Sequence, residues 1–218
     1  MERLDKLYEK FNGNYFGIIA ITSAAICIII AYLLYTEADP NFSIASNFIS
    51  DLGVGPNGSD VFFGLGMILL GTFIMPFFTY LGRYLQKRDN NPKPLRIGIF
   101  AGLIGSIGIV LVGVFPLDPD DNFSYNIHII FAGVLFYGIL TMLLIYGIFE
   151  YRNPVIPNIL SILAFITAAF YGFFITSVVI QYLTSTPFQA YTYTAEWIGS
   201  WLMGVWIIAH VYYTLKHR

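Results

Sequence analysis

FGIIAITSAAICIIIAYLLY, residues 16–35, is a run of twenty residues without a single charge. A helix rises about 1.5 Å per residue, so this run matches the roughly 30 Å hydrocarbon core of a bilayer. In water it would have no polar face to present. It decides the fold class: a membrane-spanning α-helix. Arg3, Lys6 and Lys10 precede the run, which is the charge layout of a secretory signal. The apolar region of a signal, however, is only roughly 7–15 residues long. The stretch therefore reads as an uncleaved first helix.

Five further long apolar runs follow, at 61–84, 97–115, 127–149, 156–183 and 192–215. The fifth span is long, and is expected to tilt or to begin in the headgroup layer. Composition agrees: of 218 residues, 57% are hydrophobic and 11% charged, where a soluble domain carries roughly 25% charge. No long hydrophilic segment divides the chain, and the last three spans do not repeat the first three. The expectation is one all-α transmembrane domain over 1–218, a bundle of six helices. Cys27 is the only cysteine; it excludes an intrachain disulfide and reads as a small core hydrophobe. Gly98 and Gly102 form a GxxxG, followed by Gly105 and Gly108, a pattern that lets helices approach closely in lipid. Pro76 is expected to kink the second span.

Charge fixes the orientation. Six crossings place both termini and the links near 85–96 and 150–155 on one side. That side holds all 11 Lys and Arg and five of the 13 acids, so +6 faces −8 and the total is −2. The positive-inside rule makes the basic side cytoplasmic, giving a multi-pass protein of the cell membrane. Three N-x-S sequons, at Asn41, Asn57 and Asn122, fall on the outer side.

The outer loops are not merely hydrophilic. The first reads TEADPNFSIASNFISDLGVGPNGSD, residues 36–60. Within it Ile44, Phe48, Ile49 and Leu52 recur at helical spacing. This predicts a short amphipathic segment lying on the membrane, with Ser50 and Asp51 at its end and sharp turns at Gly53 and Gly55. Asp51, Asp60, Asp118, Asp120, Asp121 and Glu196 all fall on this face, which has no Lys or Arg. A buried unpaired carboxylate is costly, so each must be solvated, protonated, paired with His128 or bound to a cation. The candidate site is Asp51, Asp118, His128 and Glu196. His128 could act as a general base, with Ser50 as a nucleophile, or the same four residues could ligate a divalent cation. The competing reading is that Asp51 and Glu196 cap helices and the other acids are solvated turn residues. The chain has no HExxH and no nucleophile elbow. Tyr191, Tyr193, Trp197 and Trp201 read as an outer aromatic belt. His210 lies 14 residues beyond Glu196, about 21 Å along a helix, and is expected near the cytoplasmic boundary with a hydrogen-bonded partner.

At NFISDLGVG, residues 47–55, and at VGVFPLDPDD, residues 112–121, followed by His128, the chain resembles the DUF998 family of prokaryotic membrane proteins. More distantly it resembles the Frag1/DRAM/Sfk1 group, through Ile49, Ser50, Asp51 and Gly53, then His128, then Glu196 and Trp197. That group includes factors for lipid remodelling of glycolipid anchors and regulators of autophagy and phosphoinositide signalling. The resemblance implies a six-helix fold and an outer site, with membrane lipids and no nucleic acid as partners. A protein that binds or modifies an outer-leaflet lipid is the first expectation. Were it an enzyme, hydrolysis or acyl transfer would be the reaction, with His128 as base. The alternatives are a non-catalytic scaffold, sensor or partner subunit, and, third, a small-molecule or ion transporter. Against transport, the sequence places no acid or base at mid-membrane in any span.

Overall fold

The computed structural model describes residues 8, 10–88 and 93–217. The charges expected at Glu2, Arg3, Asp5, Lys6, Glu9, Asp89 and Arg218 lie outside the described residues. Among the described residues six long helices follow one another: α1 Gly13–Ala38, α2 Ser59–Gln86, α3 Lys93–Val114, α4 Asn122–Arg152, α5 Asn158–Leu183 and α6 Ala190–Lys216. Each is long and apolar enough to cross a membrane. A single six-residue 3-10 helix, Ile49–Val54, interrupts the first loop. There is no strand among the described residues. Lipid supplies no hydrogen bonds, and a helix satisfies its own backbone, which is why the apolar runs take this form.

Consecutive helices pack antiparallel and close into a ring. Phe77 on α2 meets Gly17 on α1, Ile99 on α3 meets Gly82 on α2, and Leu135 on α4 meets Gly108 on α3. Gln181 bonds Thr192 across α5 and α6, and Thr214 on α6 reaches Asn14 on α1. One end of the bundle therefore holds the start of α1 and the end of α6, here called the termini end. The other holds the three connections 39–58, 115–121 and 184–189, the loop end. Every Lys and Arg among the described residues belongs to the termini end.

The longest helix is α4, with 31 residues, and not the fifth span. At about 1.5 Å per residue it extends roughly 46 Å, well beyond the hydrocarbon core. Asp121 caps its start by accepting from the Phe123 N–H, which carries the helix into the loop. α5 starts only at Asn158, because Pro157 is its N-cap residue. α2 runs on as a helix through Pro76, whose carbonyl oxygen takes the Tyr8 hydroxyl at 2.8 Å.

The α3 glycines do serve packing. Gly98, Gly102, Gly105 and Gly108 are all buried and all face α4. At Gly108 an added Cβ would lie 2.6 Å from the Leu135 nitrogen and 2.9 Å from the Phe131 carbonyl oxygen. Those are backbone atoms, so no rotamer change relieves the clash. Gly133, two residues from both Phe131 and Leu135 but on another face of α4, has nothing within 4 Å of such a Cβ. Gly108→Ala should therefore destabilise the protein by about 1–3 kcal/mol through overpacking. Gly133→Ala should be neutral or stabilising by up to about 1 kcal/mol, from helix propensity. Thermal unfolding of the two variants in one detergent checks the contrast, and equal losses would refute the close-approach account.

Candidate functional site

The first loop folds down over the loop end and does not lie flat on the membrane. Leu52 is wholly buried and Phe42 nearly so, and Ile44 and Ile49 pack against the cluster they form with Phe63 and Trp197. The Phe48 ring packs on Phe188 and Tyr193, with centroids 5.2 Å and 4.5 Å away. Gly53 and Gly55 serve close packing here, not turns: a Cβ would meet Phe63 at 2.8 Å in the first and Tyr35 at 2.3 Å in the second. The left-handed turn falls later, at Asn57 and Gly58, with φ of 58° and 87°.

Two carboxylates fasten this cap. Asp51 Oδ2 accepts from the Phe48 N–H at 2.9 Å, closing the start of the 3-10 helix, and from Asn47 Nδ2 at 3.4 Å. Glu196 Oε2, on the first turns of α6, accepts from the next amide, Ile49 N–H, at 2.8 Å. Trp197 Nε1 donates to the Asn47 carbonyl at 2.9 Å, and Ser59 Oγ to the Leu52 carbonyl at 3.0 Å. Consecutive amides, 48 and 49, are thus taken by acids 145 positions apart in sequence. The Asp51 carboxyl is pushed above the usual range, first by burial, against the opposing effect of the Phe48 and Asn47 hydrogen bonds.

The other candidate residues lie elsewhere. His128 is buried, and its Nδ1 sits 2.7 Å from the Phe115 carbonyl oxygen. A carbonyl only accepts, so this nitrogen carries the proton and the ring straps the second loop to α4. Ser124 Oγ donates to the neighbouring Pro116 carbonyl at 2.8 Å. Asp118 accepts from the Asp120 N–H at 2.9 Å in a local turn. Ser50 is half-buried within the 3-10 helix. The structure thus brings Asp51 and Glu196 to one turn, and gives His128 and Asp118 separate tasks in the second loop. Among the described residues no three His, Cys, Asp or Glu side chains are gathered as ligands for a metal ion. Trp197 is a buried strut, while Tyr191 and Trp201 stay exposed as belt residues should.

Two features carry no signal in the candidate list. A groove of about 380 Å³ opens sideways on α5 and α6 near the loop end, lined by Phe173, Thr176, Ser177, Ile180, Gln181 and Tyr191. Gln181 backs it, with Nε2 donating to Thr192 at 2.6 Å and Oε1 accepting from the Gln189 N–H at 2.8 Å. Glu150 reads in the sequence as a cytoplasmic flanking acid. It is instead fully buried in the last turn of α4 and 2.7 Å from His210, which gives that histidine the hydrogen-bonded partner expected for it.

The clamp makes two predictions. Glu196→Ala removes the acceptor of Ile49 N–H, and should cost about 1–3 kcal/mol, the penalty of an unsatisfied buried donor. Glu196→Gln keeps an oxygen there and should cost much less. Hydrogen exchange over residues 42–54 reads both, and equal effects would count against the clamp. For Asp51 the folded value is raised, so its contribution is fully present below the ordinary aspartate range and is lost as pH rises through the folded value. Asp51→Asn should therefore flatten that decline in stability with pH, while still accepting from Phe48 N–H.

No match was found to a curated protein or to a solved structure. Residues 18–214, nearly the whole chain, match the family described as a protein of unknown function (DUF998). On that coverage the six-helix membrane protein described above belongs to the DUF998 family.

Proposed function

We propose that this protein binds a membrane lipid at the loop end of its bundle, and that the acids there hold its cap in place and do no chemistry. With every Lys and Arg of the described residues at the termini end, the positive-inside rule puts that end in the cytoplasm. The loop end then belongs to the outer leaflet of the cell membrane.

The observation that carries the reading is the sideways groove on α5 and α6. Its mouth is apolar: Phe173, Ile180 and Tyr191 are each about half exposed, at 51%, 55% and 53%. Its floor is polar, through Ser177 and Gln181, both buried. An acyl chain would lie along the first set while glycerol or ester oxygens met the second, the usual division of a lipid site. Phe48, Phe188 and Tyr193 roof the neighbouring helix ends, so the fastened cap gives the groove a rigid upper border. The alternative of a hydrolase or acyltransferase asks His128 to serve as base beside Asp51 or Glu196. His128 Nδ1 bonds the Phe115 carbonyl, which leaves Nε2 as its basic nitrogen, but the two acids bond amides 48 and 49 and neither orients the ring. The face is also acidic, which favours a zwitterionic or neutral lipid over an anionic one.

Thr176 is exposed on the groove wall, and its hydroxyl bonds only its own helix, at Gly172. Thr176→Trp should fill the groove without disturbing the core. Native mass spectrometry from mild detergent, with phosphatidylcholine added, is expected to show a retained lipid on the parent chain. The variant should retain several-fold less at unchanged thermal stability. Equal retention by the two proteins would rule out this groove.

A further inference from the structure

The termini end holds a second polar centre, unconnected with the lipid groove. Glu150 on α4 and His210 on α6 are 0% and 1% exposed, with Glu150 Oε1 2.7 Å from His210 Nε2. His210 Nδ1 lies 2.8 Å from the Trp206 carbonyl oxygen. That oxygen can only accept, so Nδ1 keeps its proton and Nε2 is presented to the carboxyl, the arrangement by which a backbone carbonyl fixes a histidine tautomer. One proton therefore lies between Nε2 and Oε1, whichever atom holds it.

Three buried polar atoms around this ring have no hydrogen-bond partner: Glu150 Oε2, Trp206 Nε1 and Asn14 Nδ2. The Trp206 ring packs on His210 at 4.1 Å between centroids. Asn14 is tied in through Thr214, whose hydroxyl lies 2.7 Å from both Asn14 Oδ1 and the His210 carbonyl oxygen. A purely structural pair would leave no carboxylate oxygen bare in so dry a place, because unmet buried acceptors are costly.

We infer that Glu150 and His210 form a buried proton-binding site of the bundle, with Glu150 Oε2 as the atom that takes the proton. Loading adds one proton to Oε2 while the bridging proton stays with the imidazole. The pair then changes from net neutral to net positive, and unloading reverses this. The proton comes from the aqueous phase at the termini end, along the Asn14 and Thr214 side.

The surroundings leave this pair as the group that responds. On α4 Tyr146 is coupled electrostatically to Glu150, but its hydroxyl is committed to the Phe78 carbonyl at 3.1 Å; Arg152 is exposed. α2 brings Tyr80, Arg83 and Tyr84 to this end, with Arg88 lying over the Tyr84 ring. α6 adds Tyr213, Lys216 and His217, α3 the exposed Lys93 and Arg96, and the segment before α1 Tyr8 and Lys10. From Asn158 to Phe170, α5 has no titratable side chain.

Infrared difference spectra of the full chain in phosphatidylcholine nanodiscs test this, recorded between about pH 5 and about pH 9, the range of a histidine-linked proton. A carboxylic-acid C=O band should grow as pH falls and shift in D2O. It should weaken in Glu150→Gln, change its midpoint in His210→Gln, and persist in Glu196→Gln and in Asp51→Asn, which remove the buried Glu196 carboxyl and the half-buried Asp51 one. A flat spectrum from the parent chain would show a fixed structural pair and overturn the site. So would loss of the band in Glu196→Gln, and neither result requires the Glu150 variant to fold.

Discussion

Everything in this bundle follows from the absence of any hydrogen-bonding solvent at its lipid face. Each helix answers by closing its own backbone, and each loop must find partners on the protein. At the loop end the partners are side chains of helix termini: Glu196 and Trp197 from α6, His128 and Ser124 from α4, Ser59 from α2. They all bond backbone groups of the connections. The loops are thereby made part of the core, and Leu52 can be as buried as any residue in the helices.

The same solvent removes the drive that would bring apolar helices together, so contact has to come from close approach. α3 provides this with four glycines against α4, and α4 answers with Gly138, where a Cβ would lie 2.7 Å from the Gly105 nitrogen. Backbones that near fix the register of the two helices. Register in turn sets Tyr146 under the Phe78 carbonyl and Glu150 beside His210. A polar pair deep in the bundle thus depends on small residues three turns away.

The fold was legible because its signals are long. Six long apolar runs and one-sided Lys and Arg need no tertiary knowledge to read. Helix ends were less legible, since Asp121 and Pro157 act as caps that hydropathy does not register. Of the candidate site, Asp51, Asp118, His128 and Glu196 were read together, and the competing reading of Asp51 and Glu196 as helix caps comes nearer to the bonds they make. Bonding to amides 48 and 49 depends on how the loop folds, and nothing in NFISDLGVG states that. Glu150 was missed because it stands beside Arg152 and looks like a flank. Its register tells otherwise: Gly138, Met142, Tyr146 and Glu150 are spaced by four, and all four are buried. On α6 His210 falls in the same way behind Trp206 and ahead of Thr214. An acid that continues a core stripe is a core residue, whatever charge follows it.

The two buried glutamates show how environment separates fastening from function. Glu196 faces an amide that cannot move or titrate, and its neighbours are loop atoms that need an acceptor for the cap to hold. Glu150 faces an imidazole, the one side chain that can take or give a proton near neutrality. Its second oxygen has no amide to meet, because α4 and α6 are both regular helices at that level and have spent their N–H groups on themselves. A helix interior can therefore offer a carboxylate only side chains, and here it offers one histidine and no more. That difference in supply, and not the identity of the acid, is what sets the proposed proton site at the termini end apart from the clamp at the loop end.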